Sequence, residues 1–222
     1  MNYFCKTGIT FNKLINTKKI TIKKILFTIA PVAILAMMAF TAGEPLTIGS
    51  TMPKENLKMK DISGKMISMK EAAGSNGVMV MFSCNTCPYV VKNQQRTREI
   101  NEYAEKMKVG VILLNSNEAN RNNEDSYEAM KTYAKDQHYK WSYVVDKNNE
   151  VADAFDAKRT PEVFLFDKNL KLVYHGAIDD SPSDPTAVSK KHLKEAIKAL
   201  AEGKEITVKE SRSVGCGIKR VK

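Results

Sequence analysis

Cys84 and Cys87 stand two residues apart, separated by Asn85-Thr86 and followed directly by Pro88. Thiols at that spacing can reach one another within one turn of chain, so a mixed disulfide formed at one can be resolved by the other. The apolar run Val78-Met79-Val80-Met81-Phe82 precedes the pair and has the length of a buried strand, while Pro88 suits the first turn of a helix. A thiol at a helix N-terminus meets unpaired N–H groups and the positive end of the helix dipole, both of which favour the thiolate, the reactive species. On this geometry Cys84 is the exposed attacking thiol and Cys87 the more buried resolving thiol.

Other readings of the cysteines are weaker. A structural disulfide between residues three apart closes too small a loop to stabilise much. A zinc site wants four ligands, commonly from a second paired unit, and Cys216, His138, His175 and His192 stand at unhelpful spacing. No metal and no cofactor is expected. Cys216 lies in Ser213-Val214-Gly215-Cys216-Gly217, whose glycines let the chain pass close to another surface. It is a candidate auxiliary thiol with three roles open to it: a second disulfide with the pair, an electron relay, or an inert buried thiol.

The elements that must hold the pair are legible in outline. Leu57 to Met69 alternates on both sides of Asp61-Ile62-Ser63-Gly64, which predicts a hairpin. Strands are predicted at 78–82, 109–115, 141–146, 162–167 and 170–176. Helices are predicted around Ile100, Tyr103, Ala104 and Met107, around Tyr127, Met130 and Ala134, and briefly over 151–155. Lys92 to Glu99 is polar, so the first half of the helix after the pair has little amphipathic support. The last helix is predicted to begin at an Asp184 cap with Pro185 in its first turn. Its buried face is Leu193, Ala196, Ile197, Leu200 and Ala201, and Gly203 ends it. Strands alternating with helices, then two strands and a helix, specify an α/β fold with a mixed central sheet covered on both faces. The domain spans 57–222, with 44–56 as a lead-in or linker.

The charge is unevenly placed. The chain of 222 residues carries 35 Lys and Arg against 25 Asp and Glu. Residues 1–43 contribute +6 and residues 208–222 contribute +4, leaving a neutral body that makes no nucleic-acid surface. Six lysines, then the uncharged run 25–40 and Thr41-Ala42-Gly43, have the order of a secretory signal peptide, or of an N-terminal anchor if uncleaved. Either places the rest of the chain outside the cytoplasm, in the periplasm or secreted, and any membrane contact is through this segment alone. The redox pair then works in an oxidising or redox-managed compartment.

Phe82-Ser83-Cys84-Asn85-Thr86-Cys87-Pro88-Tyr89-Val90 and Ala157 to Asp167 (AKRTPEVFLFD), about 70 residues apart, resemble the thioredoxin-like superfamily. With VILLNSN (111–117), EDSYEAM (124–130), LVYHGAIDD (172–180) and SVGCGIK (213–219), the chain is similar to the redoxin branch, related to alkyl hydroperoxide reductases and thiol-specific antioxidants. The resemblance covers roughly 55–222. It implies a thioredoxin fold, the Cys84–Cys87 pair as redox centre, and Thr160-Pro161 as a cis-proline loop facing the pair. Thr160 would then offer its backbone to an extended substrate chain. The sequence departs from thioredoxins in three ways: Phe82-Ser83 precede the pair in place of Trp, the strand before it has no buried acid, and Asn85-Thr86 replace Gly-Pro. The direction of electron flow stays open.

The expected function is an exported thiol–disulfide oxidoreductase. Its partners are disulfide-containing or dithiol proteins and an electron donor of unspecified identity. The alternative is a peroxiredoxin-like thiol peroxidase using Cys87, with Arg96, Arg98 or Arg159 polarising the thiolate. A Thr is expected three residues before a peroxidatic cysteine, and Cys84 stands there instead. A copper-delivering module is a third class, disfavoured because its relatives space the cysteines by three residues.

Overall fold

The run read as a buried strand is the middle of the molecule. In the computed structural model, which describes residues 46–221, β3 (Gly77–Ser83) is buried along its whole length. Its pleat sends Met79 and Met81 into one core and Val78, Val80 and Phe82 into the other. A strand covered on both faces has to be apolar throughout, which is why this segment shows no alternation. The expected targeting segment, 1–43, lies outside the described residues; among those described, no helix is long and apolar enough to cross a membrane.

β3 is flanked by β4 (Val109–Asn115), parallel to it, and by β7 (Glu162–Asp167), antiparallel from Gly77↔Asp167 to Phe82↔Glu162. Beyond β4 lie β5 (Ser142–Val145), parallel, and then the antiparallel hairpin of β1 (Met59–Asp61) and β2 (Met66–Ile67). β8 (Leu172–Gly176) closes the other side against β7. The seven-stranded order is β2-β1-β5-β4-β3-β7-β8. A separate two-stranded ribbon pairs β6 (Arg159–Thr160) with β9 (Cys216–Gly217). Residues 49–52 of the lead-in run along β8, with Gly49 and Met52 N–H groups donating to Leu172 and Leu170 carbonyls.

Helices cover both faces. α1 (Pro88–Lys106), α2 (Tyr127–Asp136) and α4 (His192–Ala201) place Ile100, Ala104, Met130, Ala134, Leu193, Ala196 and Ile197 in the first core. α3 (Glu150–Ala154) places Val151 and Ala152 in the second. This is the mixed-sheet thioredoxin-like architecture. Its parallel strands β3, β4 and β5 end at one edge, at Ser83, Asn115 and Val145, where α/β sheets build their sites.

One local reading gains its reason and one differs from expectation. The polar half of α1, which has little amphipathic support in the sequence, is helical, and Asn93, Gln94 and Thr97 within it and Asn101 beyond it are buried. Asn93 donates to the Tyr89 and Pro182 carbonyls (2.7 and 2.8 Å), and Gln94 Oε1 accepts from the Tyr133 and Tyr139 hydroxyls (3.0 and 3.3 Å). Asn93 and the Gln94 side-chain oxygen are thus supplied with partners, while Gln94 Nε2 is buried without one among the described residues. The last helix begins at His192, not at Asp184. Asp184 and Pro185 start only a single 3₁₀ turn, Pro185–Ala187. The chain then straightens because Asp180 takes the Ser189 and Lys190 N–H groups (2.9 and 3.0 Å), which a continuous helix would have used internally.

The second core is aromatic at its centre. Phe164 meets Phe82 and Phe155 edge-on, at 5.7 and 5.1 Å between ring centres, and stacks on His175 at 4.2 Å. Phe164→Ala is expected to lower stability by about 3–5 kcal/mol through lost transfer energy and the cavity left behind. Urea unfolding followed by circular dichroism measures this, and a loss below about 1 kcal/mol would mean that the core collapses to fill the gap.

Candidate active site

The chain leaves β3 at Ser83, turns through Cys84 to Cys87, and enters α1 at Pro88, with Cys87 as the N-cap residue. The turn is held from beneath. The Asn85 N–H donates to Asp125 Oδ1 (3.0 Å), its side-chain amide donates to the Glu124 carbonyl (2.7 Å), and its Oδ1 accepts from the Tyr143 hydroxyl (2.9 Å). Asp125, fully buried, also accepts from Asn115 Nδ2 (2.7 Å) and Asn117 Nδ2 (2.9 Å). The two Asn residues sit at or just past the end of β4. A buried carboxylate with three hydrogen bonds is satisfied, and it fixes the loop between the cysteines against the adjacent strand end.

A second support comes from the cis Thr160-Pro161 peptide between β6 and β7. Thr160 Oγ1 lies 3.3 Å from Cys84 Sγ, and the Thr160 carbonyl oxygen lies 3.2 Å from Cys87 Sγ. Glu162, next after Pro161, folds back to accept the Lys158 and Arg159 N–H groups (2.7 and 3.0 Å) and to meet His175 Nε2 at 2.8 Å. Burial pushes its carboxyl up, but the His175 contact and the two N–H bonds outweigh that and hold it below the usual range.

The third sulfur arrives from the C-terminal tail. In the β6–β9 ribbon Thr160 is paired with Cys216, and Cys216 Sγ lies 2.6 Å from Cys87 Sγ. All three cysteines are free thiols. Among the described residues, no group of three or more His, Cys, Asp and Glu side chains is arranged to hold a metal ion.

The burial of the pair differs from expectation. Cys84 and Cys87 are both buried, 1% and 4% exposed, so Cys84 is not the exposed thiol. The Cys84 thiol is pushed far up, first by its hydrogen bond to Cys87 and then by burial, with the Asp125 charge adding to both. Cys87 falls to about 4: the Cys84 thiol stabilises its anion most, burial opposes, and Cys216 and the backbone at Val90 and Cys216 assist. Burial, then the contact and charge of Cys87, raise Cys216. The Thr160 carbonyl is the one contact that suits a protonated Cys87, since it can accept from a thiol and only repels a thiolate. Two thiols and the helix start oppose one carbonyl, so the direction of the shift at Cys87 is downward while Cys84 and Cys216 are raised, and the three sulfurs titrate as one coupled group.

The site thus unites Cys84, Cys87, Thr160, Pro161 and Cys216, widely separated in sequence. Two sequence expectations do not hold. The Thr160 backbone is not free for a substrate, because β9 and Cys87 occupy it. Arg96 and Arg98 are engaged elsewhere, Arg96 with Asp179 (2.7 Å) and the Ser181 carbonyl, Arg98 with Gln137. Asp125, Asn115, Asn117 and Glu162 were missed. The signal available was polar residues crowded just past apolar strands, in segments noted only for their resemblance.

Several known proteins are similar to this chain. Residues 47–192 match the Redoxin family. A solved structure of an uncharacterized conserved protein from Geobacillus kaustophilus is 34% identical, with a TM-score of 0.72 over 80% of this chain and 93% of that one. A thiol-disulfide oxidoreductase ResA from Bacillus thuringiensis subsp. konkukian (strain 97-27) is 27% identical over 134 residues, 60% of this chain and 72% of the relative. A putative thiol:disulfide interchange protein DsbE from Chlorobium tepidum, 17% identical, shares the fold with a TM-score of 0.55 over 70% of this chain and 99% of that one. Sequence match, fold and clustered thiols agree: the chain belongs to the Redoxin family and is an oxidoreductase of the thiol–disulfide kind.

Proposed function

We propose that the chain exchanges disulfides with other proteins outside the cytoplasm, with Cys87 as the attacking sulfur and Cys84 as the resolving one. The observation that supports this is the position of Cys87 as the N-cap residue of α1, 2.6 Å from Cys216 Sγ and clustered with Cys84, surroundings that lower its thiol pKa and raise that of Cys84. The Cys87 thiolate attacks a partner disulfide, forms a mixed disulfide and expels one partner thiolate, which takes up a proton. Cys84 then gives up its proton and attacks Cys87 Sγ, and the second partner thiol leaves. One Cys84–Cys87 disulfide and two partner thiols result, and an external dithiol donor resets the pair. Export is supported by the basic and then apolar order of residues 1–43, ahead of a domain whose chemistry suits a redox-managed compartment.

Several outcomes test this reading. With dithiothreitol as donor, the wild type is expected to accelerate insulin disulfide reduction, and Cys87→Ala to return it to the uncatalysed rate. In a Cys216→Ser background, Cys84→Ser should trap partner proteins covalently and Cys87→Ser should trap almost none. The reverse pattern on a non-reducing gel would restore Cys84 as the attacking thiol.

The ionisation predicts a pH profile. A thiol held at about 4 is fully ionised one unit above that value, so the iodoacetamide rate at Cys87 should be flat from about pH 5 to 8. An ordinary thiol instead gains roughly tenfold per unit up to about 8.5. Cys84→Ala removes the chief donor and should move the midpoint upward, while Cys84→Ser, which keeps an O–H, should move it less. Mass-spectrometric labelling across pH reads both, and an ordinary thiol profile for the wild type would remove the stabilised thiolate.

One feature favours the peroxidase reading: the thiol whose pKa is lowered is Cys87, where a peroxidatic cysteine would stand. Arg96 and Arg98 are engaged elsewhere, which leaves only Arg159 of the three candidates, and without an arginine on its sulfur Cys87 should react with hydrogen peroxide no faster than an unassisted thiolate. Rapid sulfenic acid formation at Cys87 in stopped flow would make the chain a peroxidase instead.

A further inference from the structure

The edge of β6 that an extended substrate would use is taken by the chain's own tail. β9 sets Cys216 opposite Thr160, the residue whose hydroxyl touches Cys84 and whose carbonyl touches Cys87. The tail is held closely on both sides of Cys216. Gly215 lies so near Thr160 that a Cβ there would fall 2.1 Å from its carbonyl oxygen, so only glycine fits. Beyond the cysteine, the Ile218 N–H donates to the Lys158 carbonyl (3.0 Å) and the Lys219 N–H to Asn117 Oδ1 (2.9 Å). Arg220 then reaches Asp153 and the Ala157 carbonyl. A cysteine kept only for packing would be sealed inside. Cys216 is partly exposed, while the two sulfurs it adjoins are buried.

We propose that Cys216 is a third redox-active thiol, docked as an internal substrate strand, and that the site's disulfide moves between Cys84–Cys87 and Cys87–Cys216. The inference rests on the thiol–disulfide reading above. In the step, Cys216 gives up its proton and its sulfur attacks Cys87 Sγ of the Cys84–Cys87 disulfide. The Cys87–Cys216 bond forms as the Cys84–Cys87 bond breaks, and the electron pair leaves on Cys84, which takes up a proton. Nothing is oxidised or reduced overall, so no outside reagent is consumed. The exchange carries the oxidised position from buried Cys84 to partly exposed Cys216, where the dithiol of a protein donor can attack without opening the core. It also gives Cys87 a second resolving thiol.

The test is disulfide mapping of the full chain equilibrated in graded reduced and oxidised glutathione, quenched in acid, blocked with N-ethylmaleimide and digested. The wild type is expected to yield both linked peptides. Cys84→Ser should yield Cys87–Cys216 in preference to a glutathione adduct at Cys87 by about tenfold at ~1 mM glutathione, as an intramolecular partner at such proximity allows. Gly215→Val, which leaves every thiol in place, should deplete the Cys87–Cys216 peptide and spare Cys84–Cys87. The inference is overturned if the wild type forms Cys84–Cys87 alone at every setting, or if folded Cys84→Ser carries glutathione on Cys87 with Cys216 free. A wild type that forms neither bond would overturn the thiol–disulfide reading along with it, and the presence of Cys84–Cys87 separates the two failures.

Discussion

Three sulfurs held together at the start of α1, where a thiolate is favoured, are the constraint around which the molecule is arranged. A thiolate in a buried place is costly unless donors surround it, and no single segment of this chain supplies enough of them. The turn after β3 brings Cys84, the helix start brings backbone N–H groups, and the tail brings Cys216. Each donor reaches Cys87 only if a different part of the fold is in place. Asp125 acts in the same field. The contact with Cys87 and burial do most to push the Cys84 thiol up, and the Asp125 charge adds to them, so the two members of the pair shift in opposite directions.

The scaffold follows from the need to hold such a constellation still. β3 is buried from end to end and cannot slide without moving every side chain to the wrong core. The loop it feeds is tied through Asn85 to Asp125 and Tyr143, and Asp125 is tied in turn to Asn115 and Asn117. Asn117 also accepts from Lys219, so one hydrogen-bonded network joins the loop between the cysteines to the tail that carries the third. On the other side, Glu162 and His175 fasten the segment leading to Thr160, whose two oxygens face the two cysteines of the pair. The sulfurs are therefore positioned by groups that never touch a substrate.

Such burial has a consequence for exchange chemistry. A thiolate must meet another sulfur in line to react, and here the pair itself is covered by the ribbon of β6 and β9. A Redoxin-family site that keeps its reactive sulfur under its own tail is protected from indiscriminate oxidation, since susceptibility follows exposure as well as ionisation. Access then depends on the tail, either by its displacement or through the sulfur it presents.

The amino-acid sequence by itself determined the α/β class, the central buried strand, the redox pair and its place at a helix start, because each is a local matter of spacing and periodicity. Cys84-Asn85-Thr86-Cys87-Pro88 after VMVMF carries its meaning in the eleven consecutive residues from Val78 to Pro88 and a few neighbours. Resemblance added Thr160-Pro161, and the structure sets that peptide beside both sulfurs. The start of α4 was misread, and the polar half of α1 had no support in its own periodicity, because their partners, Asp180 for the one and Tyr133, Tyr139 and Pro182 for the other, lie on other elements. Only the tertiary structure decided that both members of the pair are buried and that Cys216 stands beside Cys87. A pKa is set by everything within a few ångströms in space, and Asp125 and Cys216 are about 40 and 130 positions away along the chain from the residues whose ionisation they govern.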